Sequence, residues 1–120
     1  MATVTLPIPR NLLFRQDADW RLVYTLKNPD GTLINTSGWD VRMQIRATVD
    51  GSVLDELTTA NGKIVCGGSN GQITLTYPKV TIAALSWTHA LYDLRETPSG
   101  GLTKYRFAGG ITVRKMVTRG

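Results

Sequence analysis

WDVRMQIR, residues 39–46, alternates without a fault. Trp39, Val41, Met43 and Ile45 fall on one side of an extended chain. Asp40, Arg42, Gln44 and Arg46 fall on the other. Successive side chains of a β-strand point to opposite faces, so this segment predicts a strand that is apolar inside and charged outside.

The same period recurs on both sides of it. Trp20, Leu22, Tyr24 and Leu26 alternate with Arg21, Val23, Thr25 and Lys27. Ile73, Leu75 and Tyr77 repeat the pattern up to Pro78, and Ala90, Tyr92 and Leu94 face away from Asp93 and Arg95. Tyr105 and Phe107 carry a further strand, which Gly109-Gly110 is expected to loosen. Ile111, Val113 and Val117 are expected to form the last.

Turn signals punctuate these runs. Asn28-Pro29-Asp30-Gly31 places Pro second and Gly fourth, as a type I turn prefers. Thr32–Asn35 follows as a short extended piece, which Thr36-Ser37-Gly38 breaks. Asp50-Gly51 marks another turn. Asn61-Gly62, between residues 53–59 and 63–66, predicts a hairpin. Gly67–Gly71 reads as a flexible loop and Pro98–Gly101 as a hairpin tip. Residues 81–85 depart from the pattern: they are Ala-rich and helix-compatible, with Thr81 as N-cap, and predict a short helical crossing between sheets. The count is seven to eight short strands, with turn signals about every 8–12 residues. This predicts an all-β, Ig-like antiparallel β-sandwich without the Cys…Trp…Cys spacing of an antibody domain. Pro7 and Pro9 disfavour helix and central strand alike. Residues 1–13 are therefore expected to be an extended N-terminal arm, laid on the domain's own sheet edge or added to a neighbour's sheet. Residues 14–120 are expected to be one β-sandwich domain.

The totals fit that reading. A chain of 120 residues is enough for one domain. It is 42% hydrophobic and 19% charged, ordinary values for a globular protein. No apolar run approaches the roughly 20 residues of a membrane helix, so no membrane partner is expected. The start, MATVTLPIPRN, has neither a basic region nor a continuous apolar run, and no secretory signal is expected. Cys66 is the single cysteine, which excludes an internal disulfide and fits a reducing compartment. The net charge of +5 comes from scattered basic residues. Nucleic-acid domains more often gather theirs into a dense stripe, so nucleic acid is not expected as a partner.

No catalytic set assembles from the sequence. His89 is the only histidine, and no G-x-S-x-G elbow accompanies it. Cys66 lacks the adjacent positive charge that would make a reactive thiolate. One His and one Cys cannot build a structural zinc site. Asp17 and Asp19 have the Asp-x-Asp spacing of a calcium loop but lack its sixth-position Gly and twelfth-position Glu. They are expected to flank the start of a strand, solvated and paired with Arg15 or Arg21. Gly67–Gln72 lacks the Lys-Ser/Thr of a phosphate-binding loop. No catalytic residue, metal or cofactor is expected. Trp20 and Trp39 lead alternating strands and are expected in the core, while Trp87 stands at an element boundary.

Several stretches, taken in order, resemble small structural proteins of tailed bacteriophages and prophages. They are Phe14–Trp20, Thr25-Leu26 with Asp30-Gly31-Thr32, and Thr36-Ser37-Gly38-Trp39 leading into residues 41–46. Gly71–Leu75, Leu91–Leu94, Gly109–Val113 and Val117-Thr118-Arg119 continue the likeness. Gln16 stands where a Gly is usual in that family. The resemblance implies a non-enzymatic, Ig-like virion protein assembled in the host bacterial cytoplasm. A capsid decoration or cement protein, binding across neighbouring capsid subunits in many symmetric copies, is the first expectation. A tail or baseplate adaptor holding a receptor-binding protein is the second. A carbohydrate-binding module using Trp87 is a third reading, from another class. The proline arm and the Val117–Gly120 tail are expected to pack, in part on neighbouring subunits. The expected partner-contact residues are Leu6, Ile8, Arg10, Arg15, Asp17, Asp19, Arg114 and Lys115.

Overall fold

The structure, a computed structural model, describes residues 8–115. Nine strands run through them: β1 (Ile8–Pro9), β2 (Leu12–Arg15), β3 (Trp20–Thr25), β4 (Asp40–Arg46), β5 (Val53–Thr58), β6 (Ile64–Cys66), β7 (Gln72–Tyr77), β8 (His89–Thr97) and β9 (Lys104–Arg114). The larger sheet has the order β1-β9-β8-β4-β5, with β2 following β1 along the same edge of β9. The smaller sheet is β3-β7-β6. One short helix, α1 (Lys79–Ala83), links β7 to β8. The fold is an all-β sandwich.

The period-two pattern becomes burial. Val41, Met43 and Ile45 of β4 are fully buried, and Arg42, Gln44 and Arg46 face outward. Ile73, Leu75 and Tyr77 close the core from β7, and Ile82 of α1 plugs it from the side. Phe14 sits between Trp20 and Tyr77, at centroid distances of 5.0 and 4.9 Å. Such pairs add about 0.5–1.5 kcal/mol each beyond the area they bury. Trp20, Trp39 and Trp87 are all half-buried against this core.

Two β-bulges reset the alternation. Leu94 faces Phe107 but Arg95 faces Tyr105, so Arg106 is an extra residue in β9. Phe107 is therefore buried while Tyr105, two residues earlier, is exposed. Ile45 faces Asp55 but Arg46 faces Val53, so Leu54 is an extra residue in β5. An inserted residue puts two positions opposite one and bends the strand.

The structure departs from the sequence reading at five points. Asn61-Gly62 does not close a hairpin, because β5 pairs with β4 and β6 pairs with β7. The turn instead carries the chain from one sheet to the other. The Asn61 side chain holds that corner, accepting from Thr58 and Lys63 N–H and donating to the Glu56 carbonyl. The helix begins at Lys79 with Pro78 as N-cap, two residues ahead of Thr81. Gly109-Gly110 does not loosen β9, which runs unbroken. Gly109 is needed for space: a Cβ there would lie 2.3 Å from the Arg10 carbonyl oxygen. Residues 8–13 lie along the domain's own sheet edge, one of the two placements expected for the arm, with Leu12 buried; the departure is that β1 and β2 run parallel to β9 where antiparallel pairing was expected. These two strands also raise the count from seven or eight to nine among the described residues. Residues 32–35 contribute one bridge, Leu33 to Lys27, and no strand. The expected packing of residues 1–7 and 117–120 lies outside the described residues.

Candidate functional site

The outer face of the larger sheet follows from its register. Thr58, Arg42, Arg95 and Tyr105 form one row across β5, β4, β8 and β9. Glu56, Gln44, Asp93 and Ala108 form the next, and Arg46, Leu91 and Gly110 the third. In the second and third rows side chains shrink toward β9, ending in Ala108 and Gly110, while Thr48 and Val49 of the β4–β5 turn line the opposite side. The result is an open groove of about 430 Å³ over Leu91 and Gly109-Gly110. A smaller cleft of about 60 Å³ adjoins it, lined by Arg42, Gln44, Asp93, Arg95 and Tyr105. Gln44 and Asp93 belong to both.

Gln44, Glu56 and Arg46 on this face are already engaged. Gln44 donates to Glu56 at 2.7 Å and accepts from Arg46 at 3.1 Å. Arg46 also donates to the Gly51 carbonyl across the turn. Arg42 is less well served: its Nε lies 4.0 Å from Glu56 and is buried without a hydrogen-bond partner. Sequence reading missed this face as a site because it looked for catalytic groups. The alternation of Arg42, Gln44 and Arg46 was the available signal.

The expected contact residues divide into groups. Ile8 is exposed on β1, opposite Phe107. Arg10 is pinned, with its N–H on the Ala108 carbonyl, its own carbonyl accepting from the Tyr92 hydroxyl, and its guanidinium 5.6 Å from the Phe107 ring. Arg15 and Arg114 face each other across β2 and β9, and Lys115 follows, so three cations gather at one end of the sheet. Asp17 pairs with Arg15 at 3.1 Å. Asp19 has a structural task, accepting from the Lys79 N–H at 2.6 Å and tying the β3 lead-in to α1. Leu6 lies outside the described residues.

Two polar clusters brace the sandwich from inside. Glu96, fully buried on β8, accepts from the Tyr24 hydroxyl of β3 at 2.7 Å and from Arg106 Nη2 at 2.9 Å. Burial, together with the charge and hydrogen bond of Glu96, drives the Tyr24 phenol far above its ordinary value. Burial disfavours the Arg106 charge, but the hydrogen bonds and charge of Glu96 outweigh it and the net shift is upward. In the second cluster the Tyr77 hydroxyl donates to Asp55, and Lys63 sits 3.8 Å from Asp55 and over the Tyr77 ring. Burial, then the Asp55 hydrogen bond and charge, pushes the Tyr77 phenol up.

His89 opens β8, exposed, its Nδ1 3.2 Å from the Thr88 hydroxyl. Cys66 is on β6 in the other sheet, its sulfur 4.0 Å from the Trp39 carbonyl. Burial, then the charges of Glu96 and Asp40, raise its thiol pKa, which disfavours the thiolate. Among the described residues, no three His, Cys, Asp or Glu side chains are placed to share a metal ion, and no helix is long and apolar enough to cross a membrane.

Against this geometry, neither a protein family nor a curated protein matches the chain.

Proposed function

We propose that the protein is a non-enzymatic structural component of a tailed-bacteriophage virion that decorates the capsid by binding across neighbouring shell subunits. One structural observation carries the docking part of this reading. β1 and β2 form a sheet edge whose outer backbone side meets no other strand among the described residues. An open edge of this kind is a template for pairing with another chain. The sequence resemblance from Phe14 to Arg119 supports the viral context. The mechanism is surface burial repeated over many copies, where weak contacts add through multivalency.

Deletion of residues 1–9 tests the edge. It removes β1 but keeps the buried Leu12 and Phe14, so the domain is expected to fold while particle attachment is lost. A deletion variant that still occupies particles refutes the role of the arm. Electron microscopy of particles made by the encoding phage or prophage tests the location. An icosahedral array fits decoration, whereas a tail-tip ring makes the protein an adaptor.

A further inference from the structure

We propose that the outer face of the larger sheet holds an extended peptide segment of a partner protein. An apolar side chain would sit over Leu91 and Gly110, and a carboxylate between Arg42 and Arg95. The inference rests on the docking role above and deepens it, naming a face and the chemistry of what it takes.

The arginine pair is the first reason. Arg42 and Arg95 stand directly opposite each other on β4 and β8. Like charges in that position destabilise a sheet unless an acid sits with them. The acid nearest Arg42 is Glu56, held by Gln44 and 4.0 Å away. Among the described residues Arg95 has no carboxylate within 4.0 Å. Two guanidinium forks flanking one small polar cleft suit a carboxylate, which accepts two parallel N–H bonds from such a fork.

The second reason is the groove beside the cleft. Leu91 is 41% exposed at its floor and Val49 is 77% exposed at its rim. Gly110 adds no side chain, so an apolar group can reach the backbone there. Asp93, shared by groove and cleft, is placed to accept a backbone N–H from a chain lying along β8. Leu91 and Arg95 are four residues apart on one face, about 13 Å at ~3.3 Å per residue. An extended occupant therefore carries its apolar and acidic side chains at positions i and i+4.

Charge selects the class of partner. Arg42, Arg46 and Arg95 share the face with Asp40, Glu56 and Asp93, so it carries no net charge and its positive excess is confined to the Arg42–Arg95 pair. That balance matches one carboxylate and disfavours a polyanion.

The test uses the full chain and the blocked peptide acetyl-Leu-Ser-Gly-Ser-Glu-amide, followed by amide chemical shifts. Saturable shifts are expected at Leu91, Asp93, Arg95, Tyr105 and Gly110. Replacing the peptide Glu by Gln, or Arg95→Gln in the protein, should weaken binding about tenfold, the scale of one charge-assisted contact. Arg21→Gln, on the smaller sheet, should leave it unchanged. No saturation by about 10 mM, shifts centred elsewhere, or equal binding of the Glu and Gln peptides overturns the proposal. Peptide binding by a protein that never attaches to particles would remove the virion reading and leave this site standing. Attachment that survives Arg42→Gln with Arg95→Gln would do the reverse.

Discussion

Arg106→Leu is the sharpest probe of what joins the two sheets. Glu96 has no solvent exposure, and its carboxylate is held by Arg106 and by Tyr24 across the sandwich. Removing the guanidinium leaves a buried carboxylate with one remaining partner, a change that costs about 3–5 kcal/mol. The Arg106 side chain is 24% exposed, so water can reach the vacated space and the lower end, about 3 kcal/mol, is expected. Tyr24→Phe removes one hydrogen bond to a charged group and should cost about 1.5–2 kcal/mol. The double change Glu96→Leu with Arg106→Leu removes both charges, and should cost at least about 2 kcal/mol less than the sum of its singles. Urea unfolding at neutral pH, followed by tryptophan fluorescence, reads all four. With a slope of about 1.5 kcal/mol per M, Arg106→Leu should lower the midpoint by roughly 2 M. A fall below about 0.5 M, or strictly additive losses in the double variant, would show that the buried pair does not brace the fold.

Two further outcomes follow from the same geometry. Burial raises the phenols of Tyr24, Tyr77 and Tyr92, with carboxylate neighbours adding to the first two, while the same phenols ionise near pH 10 in the unfolded chain. Below that pH both states hold the protons and stability is intact. Above it only the unfolded state releases them, so stability should fall by up to about 1.4 kcal/mol per pH unit for each tyrosine. The Tyr92 phenol, pushed up to about 12, loses its share by that pH; denaturation curves at about pH 9 and about pH 11 with unchanged midpoints would refute the assignment. Gly109→Ala forces a Cβ against the Arg10 carbonyl and should cost about 1–3 kcal/mol. It should also free the segment around Arg10 for proteolysis, so a variant with wild-type melting and protection would show that β1 can shift aside.

The sandwich was legible where one strand's alternation was complete in itself. β4, β7 and β8 show their inner faces directly in the sequence, because burial on one side and water on the other dictate residue type position by position. Pairing was less legible. Asn61-Gly62 has the composition of a hairpin turn, yet nothing local distinguishes a turn that returns within a sheet from one that crosses between sheets. The parallel docking of residues 8–15 depends on Gly109, nearly a hundred positions away. The capping role of Asp19 likewise depends on Lys79, which only the fold brings near. Glu96 did leave a signal: it continues the apolar phase of Ala90, Tyr92 and Leu94. A carboxylate on that phase calls for a buried partner, but the sequence alone does not say that Tyr24 and Arg106 supply it.

The β9 bulge connects the Glu96 brace to the outer face. Without the extra residue in β9, Arg106 and Phe107 could not both turn toward the interior, and Tyr105 would share the buried side with Phe107. The insertion places Arg106 on Glu96 and releases Tyr105 to flank Arg95 outside. The extra residue in β5 lies beyond Asp55, which turns inward to Tyr77 by ordinary alternation with Leu57, and the insertion leaves Val53 beside Arg46. The β9 bulge thus exchanges one regular ladder position for a polar tie inside and a displaced side chain outside. A substitution that removed the β9 bulge should therefore weaken the core and reshape the Arg42–Arg95 cleft together. The two effects have one origin in the chain, since the residue that braces the sheets is the one whose insertion turns Tyr105 out.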